Sequence, residues 1–266
     1  MSKRTTQQRS RRAPNRTDAY GHQLQAFYDG TATYEIIERD DGLIDVAEGA
    51  WIYLGCYADW PAMEREAMRY VRGSVLDIGC GAGRHALYLQ ACGCDVLGID
   101  SSPGAIGVSR ARGLKKARVL AFEAAASLTP RRFDTFLMLG NNFGLCGGWR
   151  KARRLLRALQ RIAAPDARII AQSTDPYRTT DPVHLAYQAR NRRRGRMGGQ
   201  NRIRVRYREH VGPWFDYLLA SREEMRAIVD GTGWGVRRFI TARTAQYIAV
   251  LQRAAGKVAG IRCAAR

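Results

Sequence analysis

The alternation of short apolar runs with helical segments between residues 73 and 174 constrains the fold more than any other feature. Strands that alternate with helices pair in parallel through right-handed crossovers, which gives an α/β sheet covered on both faces. The pattern therefore predicts an α/β, doubly wound sheet. Five runs are typical of its buried strands: 74–78, 95–99, 117–122, 133–139 and 167–173.

The remaining segments divide into ranges with different patterns. Residues 1–16 are basic and polar, which is typical of a disordered tail, and 255–266 are assigned to a second tail. Residues 17–72 begin with a helical pattern and continue as an aromatic-rich, irregular cap region. Residues 175–220 interrupt the alternation, and 221–254 return to the core with a capping box of Ser221 and Glu224.

The inserted segment 175–220 carries its own strand pattern. Ile203, Val205 and Tyr207 alternate with arginines, which favours a half-exposed strand. Gly212 and Pro213 mark a turn, after which the chain returns as a partner strand. We therefore expect an inserted antiparallel hairpin, or cap, beside the main sheet.

A glycine-rich turn joins the first strand of the core to the following helix. Its sequence, D-I-G-C-G-A-G at 77–83, spaces the glycines as G-x-G-x-G rather than the G-x-G-x-x-G of dinucleotide-binding loops. Glycine permits positive φ and lets a ligand lie against bare backbone. Asp100 ends the second strand, where it can accept from ribose hydroxyls, and Glu123 follows the third, where it can accept from an adenine amino group.

These segments resemble motifs I to IV of the class I S-adenosylmethionine-dependent methyltransferases. The matching stretches are 77–83, G-I-D-S-S-P at 98–103, F-E-A at 122–124 and F-D-T-F-L-M-L-G-N-N at 133–142. The strand pair at 234–251 is similar to the antiparallel end of that family's sheet. The resemblance implies a mostly parallel seven-stranded sheet with helices on both faces, and S-adenosyl-L-methionine as the cofactor.

The resemblance also implies a role for each matching residue. Gly79, Cys80, Gly81 and Gly83 would contact the methionine moiety through their backbone, while Asp77 orients its amino group. Asp100 would hold the ribose with Ser101 beside it. Glu123 and Ala124 would lie at the adenine, and Asn141 would close over the sulfonium side.

The acceptor is not defined by a motif, and three interpretations remain open. The first is a small-molecule methyltransferase, with an anionic acceptor as one hypothesis for the arginine-rich cap. The second is an RNA or protein methyltransferase that uses the basic tail and the nine arginines between Arg190 and Arg208. The third is a non-catalytic module that retains the cofactor fold. The predicted general bases are His184 and His210, and the predicted acceptor contacts are Tyr20, Tyr187 and Trp214.

Composition limits the cellular context. No apolar run reaches the roughly 18 residues of a membrane span, and the N-terminus lacks the apolar stretch of a secretory signal, so we expect a cytoplasmic protein with no membrane partner. The six cysteines lack the spacing of a zinc site, and we predict no metal and buried thiols. The net charge of +20 would attract polyanions, and the oligomeric state is left open.

Overall fold

The computed structural model describes residues 17–48 and 51–254, so both predicted tails lie outside the described residues. The helices are α1 (Ala19–Tyr28), α2 (Trp51–Leu54), α3 (Ala62–Ala67), α4 (Arg84–Ala91), α5 (Pro103–Ala111), α6 (Trp149–Leu159), α7 (Pro182–Arg193) and α8 (Arg222–Val229). The strands are β1 (Tyr34–Arg39), β2 (Ile44–Glu48), β3 (Val75–Ile78), β4 (Val96–Asp100), β5 (Ala117–Val119), β6 (Phe133–Met138), β7 (Ala163–Thr174), β8 (Gln200–Tyr207), β9 (His210–Val211), β10 (Phe215–Leu218), β11 (Trp234–Thr241) and β12 (Gln246–Arg253). Short 3₁₀ helices connect several of them, at Tyr57–Asp59, Met68–Tyr70, Phe122–Leu128, Asn142–Cys146 and Gln160–Ile162.

The larger sheet has seven strands in the order β11-β12-β7-β6-β3-β4-β5. Strands β3 to β7 pair in parallel, whereas β12 runs antiparallel to both β7 and β11. The predicted doubly wound, mostly parallel seven-stranded sheet is confirmed. Because the strand order reverses at β3, which lies between β6 and β4, a crevice forms outside the carboxyl ends of these strands, where open α/β sheets bind ligands.

Two apolar cores cover the faces of this sheet. On one face, Phe136 packs with Phe133 and Trp234 and with the apolar sides of α6 and α8. On the other, α3, α4 and α5 cover Val75, Leu137 and their neighbours. All four residues of β3 are buried, as a strand covered on both sides requires. The predicted capping box at the start of α8 is present, with Ser221 accepting from the Glu224 N–H.

The second sheet is larger than the sequence predicted. The inserted segment supplies β8, β9 and β10, but β8 also pairs with β1 of the hairpin β1–β2, which ends 27 positions before β3 begins. The prediction that the chain is irregular after the first helix of the 17–72 region is therefore wrong for this hairpin. The turn Asp40-Asp41-Gly42 contains the Asp-Gly pair typical of hairpins, which the sequence interpretation missed.

Helix α1 connects the second sheet to the seven-stranded sheet. One carboxylate oxygen of Asp18 accepts from the Gly21 N–H at the start of α1, and the other accepts from the Gly104 N–H at the start of α5, at 2.9 Å. A Cβ added to Gly104 would lie 2.7 Å from the Gly21 Cα, so the two helices approach as closely as glycine allows. Helix α1 also contacts β8, and it therefore lies between the two sheets.

Two further features bear on partners. Across residues 17–48 and 51–254, no helix combines the length and apolarity needed to cross a bilayer. Within those same ranges, no group of three or more His, Cys, Asp or Glu side chains is arranged as a metal site. Cys80 and Cys146 are buried free thiols, whereas Cys56 and Cys92 are exposed.

Candidate active site at the carboxyl ends of β3, β4 and β6

The glycine-rich turn leaves β3 and opens α4 through three left-handed glycines. Gly79, Gly81 and Gly83 have φ values of 71°, 53° and 82°, which side chains with a Cβ rarely adopt. The N–H groups of Gly79 and Cys80 both donate to the Ile99 carbonyl, at 2.8 and 3.0 Å. The backbone of the turn is therefore fixed against β4, with its glycines at the crevice.

Neighbouring side chains lie close to two of these glycines. A Cβ on Gly81 would be 2.7 Å from the Tyr20 hydroxyl of α1, and one on Gly79 would be 2.6 Å from the Asn142 amide nitrogen. The amide of Asn142 donates to the carbonyls of Ile78 and Gly79, at 3.1 and 2.8 Å. Asn142, which the sequence analysis did not assign, therefore fixes the turn after β3 to the loop after β6.

Asp77 is a buried carboxyl group in β3, with 2% of its surface exposed. Burial raises its pKa from the ordinary 3.8 to about 6, with a further increase from the charge of Asp100 and an opposing effect from His85. Among the described residues, its Oδ2 atom is buried and has no hydrogen-bond partner. An unsatisfied buried carboxylate oxygen is costly unless a cation or a donor meets it, so Asp77 is suited to hold a cationic group.

Asp100 connects the turn to the helix that follows β4. One of its oxygens accepts from the Gly81 N–H at 3.0 Å, and the other accepts from the Ser102 N–H at 2.9 Å. Burial raises the pKa of Asp100, and these hydrogen bonds oppose the increase. Since a carboxylate offers about four acceptor positions, Asp100 retains capacity to accept from a diol. The predicted neighbour Ser101 is exposed beside it.

Glu123 and Ala124 lie at the exposed start of the 3₁₀ helix after β5. Partial burial alone would raise the pKa of Glu123, but an ion pair with Lys151, 2.5 Å away, lowers it below the ordinary value. Glu123 is therefore an ionised carboxylate that already has a basic partner.

Cys80 points away from the crevice. Its sulfur lies against the backbone of β4, where a Cβ on Gly98 would be 2.8 Å from it, and burial raises the pKa of its thiol well above the ordinary value. The side chain is therefore a protonated packing group. Reactive cysteines require the opposite, a lowered thiol pKa.

Asn141 follows β6 and adopts a left-handed conformation, with φ of 62°. Its side-chain oxygen accepts from the Thr174 hydroxyl at 3.0 Å, and its backbone carbonyl accepts from the Tyr217 hydroxyl at 2.7 Å. The ring of Tyr217 lies against Gly144, where an added Cβ would be 2.2 Å from it. Strand β10 of the second sheet is thus fixed directly to the loop after β6.

A group of tyrosines and one carboxylate lies between the two sheets. Tyr20 packs edge-on against Tyr53 with ring centroids 5.6 Å apart, and the Tyr53 hydroxyl donates to Glu35 of β1 at 2.7 Å. Burial raises the pKa of Tyr20 and of Tyr217, and the charge of Glu35 adds to both increases. The sequence analysis identified only Tyr20 of this group.

The other residues predicted to contact the acceptor lie within the second sheet or beside it. His184 contacts Arg39 at 3.0 Å and Asp181 at 3.9 Å, and Tyr187 donates to Asp40 while accepting from the Arg202 N–H. The Tyr187 hydroxyl therefore joins α7 to the sheet. His184 and Tyr187 are not among the side chains that the structure brings to the glycine-rich turn.

His210 and Trp214 also have partners in this region. The His210 ring stacks on His22 at a centroid distance of 3.8 Å, and the guanidinium of Arg204 lies 4.5 Å from the centroid of Trp214. His22 and Tyr20 are two residues apart on α1, which places them on nearly opposite sides of the helix. His210 therefore lies on the side of α1 away from Gly81.

The arginines of β8 are engaged in ion pairs with carboxylates of the same sheet. Arg204 and Arg206 both bind Glu38, at 2.8 and 2.7 Å, and Arg202 lies 3.5 Å from Asp216. These hydrogen bonds lower the pKa of Glu38 despite the opposing effect of desolvation. Pairing within the sheet accounts for the alternating arginines without a bound polyanion or an anionic acceptor.

Comparison with known proteins agrees with this geometry. A family model described as "Methyltransferase domain" matches residues 75–166, and no curated protein matches the chain. A SAM-dependent methyltransferase from Bacteroides fragilis, solved with S-adenosyl-L-homocysteine, is 27% identical with a TM-score of 0.76, and the alignment covers 91% of this chain and 97% of that one.

Two more distant structures share the fold. The CcbJ methyltransferase from Streptomyces caelestis is 17% identical with a TM-score of 0.60, over 91% of this chain and 100% of that one. CalS10, an amino pentose methyltransferase from Micromonospora echinaspora solved with SAM, is 18% identical with a TM-score of 0.51, over 72% of this chain and 89% of that one. The chain therefore carries a methyltransferase domain at residues 75–166, within a fold that it shares with S-adenosylmethionine-dependent methyltransferases.

Proposed function

We propose that this methyltransferase binds S-adenosylmethionine at the turn after β3 and methylates a small molecule held between its two sheets. The observation that carries the proposal is Asp77, a buried carboxyl group with one oxygen unsatisfied among the described residues, beside a turn of three left-handed glycines. A ligand with an ammonium group and a flat adenosyl moiety fits that combination of charge and bare backbone.

The residues at the crevice fit the cofactor as follows. Asp77 would hold the methionine ammonium, and Gly79, Cys80, Gly81 and Gly83 would face the methionine moiety through their backbone. Asp100 and Ser101 would hold the ribose, Glu123 and Ala124 the adenine edge, and Asn141 would border the sulfonium side. A side chain at position 81 would fill the space next to the Tyr20 hydroxyl, so the glycine there is a steric requirement.

S-adenosylmethionine supplies a methyl group already activated by the adjacent positive sulfur. The protein then chiefly has to align the acceptor with it, and alignment of this kind is worth up to about 7–11 kcal/mol of the barrier. The five-stranded sheet, attached through α1 and Tyr217, supplies the opposite wall of the site.

The enclosure favours a small acceptor over RNA or protein. Tyr20 and Tyr53 pack against each other beside the glycine-rich turn, Tyr217 donates to the loop after β6, and all three are partly buried. The arginines of β8, which would otherwise favour a nucleic acid as the acceptor, are paired with Glu38 and Asp216. His184 and His210 are not needed for the alignment, and an acceptor base would have to come from the residues nearer the turn.

Calorimetry with S-adenosylhomocysteine tests the cofactor assignment. Asp100→Ala should weaken binding by about 1.5–3 kcal/mol for each charge-assisted hydrogen bond that is lost. Asp95→Ala is the matched control, because Asp95 immediately precedes the same strand and the described partners of its side chain are Lys116 and Arg131 alone. Unchanged affinity for S-adenosylhomocysteine in the Asp100 variant would refute the proposal. Binding of a nicotinamide or flavin nucleotide in place of S-adenosylhomocysteine would also refute it.

A further inference from the structure

Glu35 is a buried carboxylate that faces the proposed site from the second sheet. Only 9% of its surface is exposed, and Tyr53 donates to its Oε2 atom at 2.7 Å. In β1 it lies on the face of the sheet opposite to Glu38, because side chains three residues apart on a strand point to opposite sides. Glu38 binds the β8 arginines on that other face, so Glu35 is separated from them by the sheet.

A hydrogen bond and a ring contact connect Glu35 to the glycine-rich turn. Tyr53, which donates to Glu35, packs against Tyr20, whose hydroxyl lies over Gly81. Tyr217 donates to the carbonyl of Asn141 after β6; burial raises the pKa of its hydroxyl, and the charge of Glu35 adds to the increase. Glu35 is thus joined through two tyrosines to the loop that borders the cofactor's methionine end in the proposed site.

No cation balances this carboxylate among the described residues. No Lys, Arg or His side chain of residues 17–48 or 51–254 forms an ion pair with Glu35, and Arg84, whose charge acts on Tyr53, is paired with Glu64 at 2.9 Å. Burial raises the pKa of Glu35, Tyr53 partly opposes the increase, and the charge of Asp45 adds to it. A buried carboxylate without a cation is expensive to maintain for stability alone.

The surroundings suit a cationic partner. Aromatic ring faces attract cations, and Glu35 lies beside the packed pair Tyr53 and Tyr20. A carboxylate has about four acceptor positions, and Tyr53 uses one of them, which leaves room for an N–H donor. A neutral alcohol would gain little from a full negative charge, and an anionic acceptor would be repelled by it.

We propose that Glu35 binds the amino group of the acceptor, so that the enzyme methylates a small amine at nitrogen. This inference rests on the proposed function, because it assigns the acceptor of the same site. The amine enters as an ammonium ion and passes one proton to the Glu35 carboxylate. Its nitrogen lone pair then forms the new N–C bond as the C–S bond of the methyl donor breaks, the electron pair stays on sulfur, and Glu35 releases its proton to solvent.

Three probes on one scaffold test the inference by binding: benzylamine, benzyl alcohol and benzoate. Ligand-observed NMR on protein saturated with S-adenosylhomocysteine should give a Kd for benzylamine at least about tenfold lower than for the other two, as a charge-assisted contact predicts. Equal or tighter binding of the alcohol or the benzoate overturns the inference, and so does the absence of saturable benzylamine binding. This comparison needs only the unmodified protein.

Substitution then assigns the preference to one side chain. Glu35→Gln should raise the benzylamine Kd at least about tenfold while leaving the affinity for S-adenosylhomocysteine within about twofold. Glu38→Gln is the control, since it removes a carboxylate from the same strand but from its other face. An unchanged benzylamine Kd in Glu35→Gln, or an equal loss in Glu38→Gln, contradicts the assignment.

Calorimetry separates this inference from the function on which it rests. If the unmodified protein fails to bind S-adenosylhomocysteine, the proposed function itself is wrong. If it binds S-adenosylhomocysteine but does not prefer benzylamine over benzyl alcohol and benzoate, only the role of Glu35 is wrong.

Discussion

Lowering the pH from 7 to 5 should weaken the binding of S-adenosylhomocysteine about tenfold, because Asp77 must be ionised to hold its ammonium group. Burial raises the pKa of Asp77 to about 6 in the unbound protein. At that value the ionised fraction is about nine-tenths at pH 7 and about one-tenth at pH 5, and the apparent affinity falls in proportion to the competent fraction. The ammonium group of the ligand stays protonated over this range.

The sign follows from the direction of the shift. A carboxyl group whose pKa is raised on folding favours the folded state below its unfolded value, near 3.8, and loses that contribution as the pH rises through about 6. The shift means that ionised Asp77, without a cation beside it, lowers the free energy of unfolding by about 3 kcal/mol relative to the protonated group. A bound ammonium group offsets this cost, so ligand binding and ionisation of Asp77 reinforce each other, and binding strengthens as the pH rises.

Isothermal titration calorimetry at pH 5, 6 and 7, in buffers of matched ionic strength, measures the effect. Asp77→Asn keeps the shape of the side chain but cannot ionise, so it should bind more weakly at pH 7 and lose most of the pH dependence. The pKa of Asp100 is also raised, and whatever pH dependence remains in the Asp77 variant is attributed to Asp100. A Kd that is equal at pH 5 and 7 in the unmodified protein, or a full tenfold change retained in Asp77→Asn, would refute the reasoning.

Two further predictions concern the turn itself. Gly81→Ala should weaken S-adenosylhomocysteine binding at least about tenfold, because the new Cβ would meet the Tyr20 hydroxyl. Gly93→Ala, also left-handed but with no atom within 4 Å of an added Cβ, should lose only about 1 kcal/mol of stability and no affinity, and equal affinity losses would contradict the steric argument. Asn142→Ala removes two hydrogen bonds to the turn and should lower the free energy of unfolding in urea by about 1–3 kcal/mol; an unchanged value would show that Asn142 does not hold the turn.

The core was accessible from sequence because its information is local. Each strand of the parallel sheet is a short apolar run, and each glycine of the turn is required by the backbone conformation at that position. The capping box of Ser221 and Glu224 likewise spans only four residues. The fold class and the position of the glycine-rich turn follow from such patterns, since a strand, a turn and a helix are each specified within about ten residues.

The second sheet was only half predicted because its pairing is long-range. Strand β8 finds β1 across about 165 residues of chain, and nothing within either strand specifies the other. The β1–β2 hairpin lies in an aromatic-rich segment that was interpreted as irregular, although its Asp-Gly turn is typical of a hairpin. The sequence analysis consequently described two separate caps where the structure has one sheet.

The acceptor side of the site was missed for the same reason. Glu35, Tyr53 and Tyr217 are separated by up to 182 positions, and each is unremarkable in its own segment. His184 and His210 were predicted as general bases, yet their neighbours in the structure are Arg39 and His22. Chemical type alone could not indicate which residues the fold would bring to Gly81.

The divided origin of the five-stranded sheet has a practical consequence for engineering. Its strands come from both sides of the matched domain at 75–166, so a fragment cut at those boundaries would lack the five-stranded sheet. Exchanging only the inserted segment with that of another methyltransferase would leave β1 without its native partner strand. Under the proposed function, a chimaera with a new acceptor preference has to replace residues 34–48 and 200–218 together.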